Sequence, residues 1–263
     1  MVYGELEDKA LAWATRFVFG LDPASMPARV VITPLKVEEY FDNFQAIIGD
    51  RGLTFERVTG VSRSSFLVWR GDKQALFCEG DVGASNFADS SLILCHCRNV
   101  EELIFVGTGG GIGENVESAD INMPPSCIRL DKVLEILLPP EAPAKADLDI
   151  AKKMKSLIEK RVEGLGIKVH EGIHATVPFF LAETKQLLTD LQKQGALSVD
   201  MELSVLYALA NNYYKKVAGV IRIGDLPLRG LPTWKSRSYK VKLKKEVHTR
   251  ILSALIDYLF IKT

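Results

Sequence analysis

From Arg29 onward the chain alternates between short apolar runs rich in β-branched residues and longer segments with apolar residues at helical spacing. That alternation restricts the fold more than any other feature. A chain that switches repeatedly between these two periods buries both kinds of element by laying helices on a sheet. Residues 29–34 read as a strand ended by a proline turn, and 37–48 as a helix with Tyr40, Phe41, Phe44 and Ile47 on one face. Residues 65–69 and 75–78 read as a hairpin around Gly71-Asp72. Downstream, helices are expected over 86–96, 147–162, 184–194, 199–211 and 247–260. Strands are expected over 103–106, 133–138, 167–176 and 217–223. The Pro- and Ala-rich stretch 139–146 is short and runs straight into a helix, so it reads as a surface loop. The expectation is one α/β domain over residues 1–263 with a mostly parallel or mixed sheet.

Composition narrows the function. Lys plus Arg number 33 and Asp plus Glu 33, so the chain lacks the basic surplus that phosphate-rich nucleic acids demand. No apolar run approaches the roughly 18 residues of a membrane span. The first eleven residues carry Glu5, Glu7 and Asp8 rather than a basic-then-apolar export pattern, so a cytoplasmic protein is expected. Cys78, Cys95, Cys97 and Cys127 are too few for a disulfide framework. Cys95-His96-Cys97 has no second Cys/His pair, which favours buried thiols over a metal.

Three places can carry chemistry. The first is Val106-Gly107-Thr108-Gly109-Gly110-Gly111, directly after a buried strand. Glycines let a backbone approach an anion closely, and the Thr hydroxyl adds a donor; a plain tight turn is the other reading. No dinucleotide fingerprint fits, because Ile112 stands where the third Gly belongs, and no Gly-Lys-Ser/Thr follows. The second is Asp200-Met201-Glu202, at the start of the segment read as a helix. On a wheel, Asp200, Ser204 and Asn211 form a polar stripe, whereas Glu202 falls in the apolar arc. Burying a carboxylate without a partner is costly, so either the helix N-terminus stabilises Glu202 or it grips a ligand hydroxyl. The third is Gly224-Asp225, after the apolar strand 217–223. Ligands gather beyond the carboxyl ends of strands, where Asp225 could do acid–base work, although a local turn explains it equally.

In this order and spacing the three motifs resemble the nucleoside phosphorylase superfamily, which includes purine nucleoside and uridine phosphorylases and the methylthioadenosine/S-adenosylhomocysteine and AMP nucleosidases. Asp200-Met201-Glu202 is similar to that family's ribose clamp, and Gly80-Asp81-Val82-Gly83-Ala84-Ser85-Asn86 to its Gly-rich turn before a helix. The resemblance implies a single domain with a central mixed, partly barrel-like sheet flanked by helices. It also implies roles. Glu202 would bind the ribose hydroxyls, with Met201 against the sugar, and Asp225 would protonate a purine base at N7 from a raised pKa. Thr108, with Gly107 and Gly109, would hold phosphate or the ribose edge. Phe179 or Phe180 would stack on the base beside Gly110. The implied reaction is phosphorolysis of a nucleoside, with inorganic phosphate as co-substrate and neither metal nor organic cofactor. The implied assembly is a homo-oligomer, whether a dimer, a trimer of dimers or a hexamer.

Departures from the family pattern bear on the acceptor. Phe105 stands where phosphorylases place a phosphate-gripping Arg, and Thr33-Pro34-Leu35-Lys36 replaces a Gly- and Arg-bearing turn. Lys36 keeps a cation in that turn, and Arg63 or Arg57 could serve as the further Arg that family members take from the neighbouring subunit. The loss at Phe105 raises a hydrolytic alternative, for which Glu38 or Glu39 would activate water. A nucleoside-binding protein without catalysis is a third reading, against which the presence of both Glu202 and Asp225 speaks.

Overall fold

The computed structural model describes residues 8–41, 44–61, 63–231, 235 and 240–261. Eleven strands form one mixed sheet: β1 (Arg29–Thr33), β2 (Thr54–Thr59), β3 (Ser64–Arg70), β4 (Lys73–Glu79), β5 (Glu102–Gly111), β6 (Ile121–Asn122), β7 (Cys127–Arg129), β8 (Val169–His170), β9 (Ile173–Thr176), β10 (Ala196–Asp200) and β11 (Lys216–Asp225). The helices that cover it are α1 (Asp8–Phe19), α2 (Val37–Tyr40), α3 (Phe44–Asp50), α4 (Ala84–His96), α5 (Leu148–Val162), α6 (Lys185–Lys193), α7 (Leu203–Asn212) and α8 (Val241–Ile256). None is long and apolar enough to cross a membrane.

The period-2 alternation of the central strands explains the layering. Val30, Ile32, Leu76, Cys78, Leu103, Phe105, Val217 and Ile221 face one core, with α1, α4 and α7. Val31, Ala75, Phe77, Ile104, Val106, Ala218 and Val220 face the other, with α2, α3, α5 and α8. Both faces are apolar, so these strands read as continuous hydrophobic runs. Helix α7 is buried from Leu203 through Ala210. Each Leu or Val so buried contributes about 1.5–3 kcal/mol before the entropy cost is counted.

Strand β5 organises the sheet. β11 runs parallel along one edge of it, from Glu102 to Gly110. The other edge is shared: β1 pairs with Glu102 to Phe105, and β10 pairs antiparallel with Gly110 and Gly111. Between them the sheet splays. Two branches leave this point, β10-β9-β7 and β11-β6-β8. The Asn122 side chain of β6 fastens them together. It donates to the Gly172 carbonyl (3.1 Å) and to Ser198 Oγ on β10 (2.8 Å), and accepts from Gly172 N (3.0 Å).

Several elements differ from the sequence reading. Helix 37–48 is broken at Phe41, whose ψ of 96° is extended, and Tyr40 and Phe41 are both buried. The glycine cluster is strand rather than loop, since β5 continues to Gly111. The segment 133–138 forms a 3-10 turn, Val133–Ile136, and 167–176 divides into β8 and β9. The segment 199–211 is strand β10 followed by α7, so the wheel containing Asp200 does not exist. β-branched Val199 and the pairing partners at Gly110 and Ala175 outweigh helix propensity there. α1 and β2 had no expectation at all, and α8 starts six residues before the expected 247 and closes in a π-helical turn at Asp257–Ile261.

Asn122→Ala should cost about 1–3 kcal/mol in denaturant unfolding, because it removes the side-chain partner of the Gly172 N–H and carbonyl and leaves the Ser198 hydroxyl with His174 alone. A loss below about 0.5 kcal/mol would show that the branches hold together without it.

Candidate functional site

A pocket of about 340 Å³ opens where β5 parts from β1 and β10. Its lining includes Thr108, Gly109 and Gly110 of β5, Asp200 to Glu202, and Arg222, Gly224 and Asp225 of β11. The glycines let the two strands converge: a Cβ on Gly109 would collide with the Val199 carbonyl. A second cavity of about 510 Å³ shares Phe180, Glu183 and Asp225 with it, so the two form one cleft.

Asp200 is a structural carboxylate at the mouth of α7. It accepts from Thr176 Oγ1 (2.8 Å), Glu202 N (3.1 Å) and Leu203 N (3.0 Å). His174 Nε2 also lies 2.9 Å away, without hydrogen-bond alignment. Glu202 sits at the N-cap position of α7 and is buried. It accepts from Gly83 N at 2.6 Å and from Met201 N at 3.2 Å. Gly83 belongs to the Gly-rich turn and has φ 93°, which favours glycine. Burial, followed by the charge of Asp200, pushes the Glu202 carboxyl up to about 8 against those two donors. Glu183 is pushed up to about 7, by burial first and then by Asp225 and Asp200.

Asp225 reaches the pocket through a bulge. Strict alternation would put Arg222 and Asp225 on opposite faces, but the pairing with β5 shifts register between Ile223 and Asp225. Both therefore line the same pocket. Arg222 is buried; its Nε donates to His248 Nε2 and its Nη1 to the Ile223 carbonyl (3.0 Å). His248 accepts that bond as a neutral ring, its pKa driven well down by burial and by Arg222. Tyr40 stacks on His248 at 4.3 Å and donates to the Gly107 carbonyl (2.8 Å), capping the splayed edge of β5. From α8, Lys244 completes this wall.

Of the residues singled out in sequence, Thr108, Gly109, Gly110, Phe180, Met201, Glu202 and Asp225 come together in this pocket. Gly107, Lys36, Arg63 and Phe179 do not line it. Lys36 is exposed and pairs with Glu39 at 3.5 Å, and Phe179 is 59% exposed. Arg63 is ion-paired with Asp81 and hydrogen-bonded to Ser90, which neutralises it on the Gly80 turn. Arg57 and Glu38 face each other at 3.6 Å, both partly exposed. Phe105 is fully buried, edge-on to Phe87 at 5.5 Å, so the position carries packing and no charge. Cys78, Cys95 and Cys97 are buried, and Cys127 is partly so. Arg222, Lys244 and Glu183 were missed. An Arg inside the apolar run Val217 to Ile223 was a usable signal, whereas Lys244 is one lysine among several on α8.

A model of the phosphorylase superfamily matches residues 30–257. The chain is 31% identical over 126 residues to a uridine phosphorylase of Thermococcus kodakarensis, covering 43% of this chain and 44% of that protein. It is 28% identical over 131 residues to a DeoD-type purine nucleoside phosphorylase of Colwellia psychrerythraea, covering 48% and 53%. The match thus spans about half the length of these curated relatives. Among solved structures, uridine phosphorylase from Vibrio fischeri ES114 superposes with a TM-score of 0.73 at 16% identity, covering 91% of this chain and 94% of that one. AMP nucleosidase from Bacteroides thetaiotaomicron gives 0.67 at 15% identity, covering 97% and 100%. At those identities the likeness is one of fold. With its family model spanning the central sheet and every strand of the pocket, the chain belongs to the phosphorylase superfamily.

Proposed function

We propose that the protein cleaves the N-glycosidic bond of a nucleoside, preferably a purine nucleoside, and transfers the ribosyl group to inorganic phosphate. The observation that carries this reading is the shared pocket of Glu202 and Asp225, two buried carboxylates on different elements, against the glycine-rich end of β5. Breaking the bond builds positive charge on the ribose and negative charge on the leaving base. Glu202, fixed by Gly83 N and Met201 N, supplies a carboxylate that a cationic sugar draws into its ionised form. Asp225 delivers the proton to the base, and Glu183, held near 7 beside it, keeps a proton available at neutral pH. Phe180 offers its ring to the base from the wall common to both cavities. Relatives named uridine and purine nucleoside phosphorylase support phosphate as the acceptor.

Water as acceptor is the second reading, favoured by one observation: Phe105 is a core residue where the resemblance calls for a phosphate-binding Arg. Base release from purine and pyrimidine nucleosides, assayed with and without inorganic phosphate, separates the two. Release only with phosphate upholds phosphorolysis, release in its absence upholds hydrolysis, and none under either condition removes both.

Two substitutions test the carboxylates. Asp225→Asn should lower kcat on purine nucleosides by about 10²–10³-fold. An equal loss on pyrimidine nucleosides would rule out protonation of the purine ring as its role. Glu202→Gln should lower turnover about 100-fold or more while the chain stays folded. The sign of its stability effect follows from linkage. The Glu202 pKa is raised from 4.5 to about 8 in the folded chain, which therefore holds a proton that the unfolded chain has released. Stability is lost as pH rises through that window. The permanently neutral Gln escapes this loss, so its melting temperature should gain on wild type between about pH 5 and pH 8; a constant difference would contradict the raised pKa.

A further inference from the structure

The charges of this pocket are divided. Glu202 feels Asp200 and Glu183, and Glu183 feels Asp225 and Asp200, which makes one side acidic. Arg222 and Lys244 mark the other, and Asp225 acts on both of them as well as on Glu183. Arg222 lies directly beside Thr108 in the parallel register of β11 and β5, so the guanidinium stem and the hydroxyl leave the sheet on one face. That face is covered by α8, which brings Lys244 to the same lining.

The setting of Arg222 is unusual for a structural arginine. It is 7% exposed, and its hydrogen bonds go to neutral acceptors, the His248 ring and the Ile223 carbonyl. The remaining nitrogen, Nη2, lies 4.0 Å from where a Cβ on Gly224 would sit, at the pocket wall. A buried guanidinium without a counter-charge in its hydrogen bonds is costly, and a second cation nearby adds to the cost. Lys244 registers it: burial, and then Arg222, push its ammonium down to about 8 despite Asp225. Among the described residues, Tyr40, His248, Asp225 and Lys240 act on this wall, with Asp225 the acid among these four. An anion seated between Arg222 and Lys244 relieves both cations.

We infer that Arg222 and Lys244, with the Thr108 hydroxyl, form the seat of a phosphoryl oxyanion in this pocket, supplying from β11 and α8 the cationic grip that position 105 does not. The inference deepens the ribosyl-transfer reading and rests on it for the identity of the ligand. Inorganic phosphate and the 5′-phosphoryl group of a nucleoside monophosphate share the chemistry: a tetrahedral dianion that takes hydrogen bonds from a guanidinium and an ammonium.

The test measures binding of inorganic phosphate, adenosine 5′-monophosphate and adenosine to the full chain by calorimetry, for wild type, Arg222→Gln and Lys244→Gln. Lys244 is only partly buried, so its replacement leaves the fold intact even where loss of Arg222 does not. Lys244→Gln should weaken the phosphoryl ligand about 10-fold and Arg222→Gln about 100-fold, with adenosine held within about threefold. Loss for free phosphate identifies a phosphate seat; loss for the monophosphate alone identifies a nucleotide seat. Unchanged affinity for both ligands in Lys244→Gln, or a wild type that binds neither, overturns the inference. If wild type binds phosphate through these residues yet releases no base from any nucleoside, the ribosyl-transfer reading fails and the seat stands. An active wild type whose variants bind both ligands unchanged removes the seat alone.

Discussion

Asp200 ties the pocket to the scaffold. Its carboxylate closes the first turn of α7 through Glu202 N and Leu203 N, and it takes the Thr176 hydroxyl from β9. The polar chain extends both ways from there. Thr176 Oγ1 accepts from Ser204 N, and Ser204 Oγ donates to Asp131. On the other side, His174 lies against Asp200 and bonds Ser198, which is bonded in turn by Asn122. β6, β9, β10 and α7 thus meet through side chains that have no water to fall back on. In such an interior each bond is strong and each missing partner costly, so the network admits one arrangement of the strand ends. The position of Glu202 follows from it, two residues beyond the anchor.

The site is built from interruptions of regular structure. Splaying of β1 and β10 from β5 makes the crevice, the crossover point where open α/β sheets gather ligands. The bulge before Asp225 turns that residue to the side of Arg222, and Gly109 lets the backbones of β5 and β10 close in. Tyr40 and His248 then fill the space behind, holding Arg222 forward. Each device stands on a layer that is apolar on both faces, so the cost of irregularity at the rim is offset by the core beneath.

The same arrangement sets stability against function. Glu202 and Glu183 are forced upward in pKa by burial and by neighbouring acids, so they fit their surroundings poorly in the ionised form. Arg222 fits poorly for the opposite reason, being desolvated among neutral acceptors. Perturbed groups of both signs in one small cleft are what chemistry on a polarising bond requires, and a core has no use for them.

The sequence by itself determined the layered α/β plan, because the short continuous apolar runs in 29–34, 103–106 and 217–223 and helical spacing in 147–162 and 184–194 are local properties of the chain. Both helices also carry legible caps: the Asp147 side chain accepts from Asp149 N and Ile150 N, and that of Thr184 from Leu187 N. It likewise marked Thr108, Glu202 and Asp225, since charged or hydroxyl groups beside glycines and apolar runs are anomalies visible without coordinates. Tertiary structure decided the rest. Residues 199 and 200 are strand because β5 and β9 offer partners there, against the helical spacing read from 199 onward. Phe105 packs on Phe87 and Arg63 pairs with Asp81, contacts with residues distant in sequence or on another element that set where both side chains sit. Arg222 and Lys244 share one wall because a strand register and a helix on the same face bring them there. Burial and pairing across the sheet are properties of the folded whole, and periodicity along the chain does not encode them.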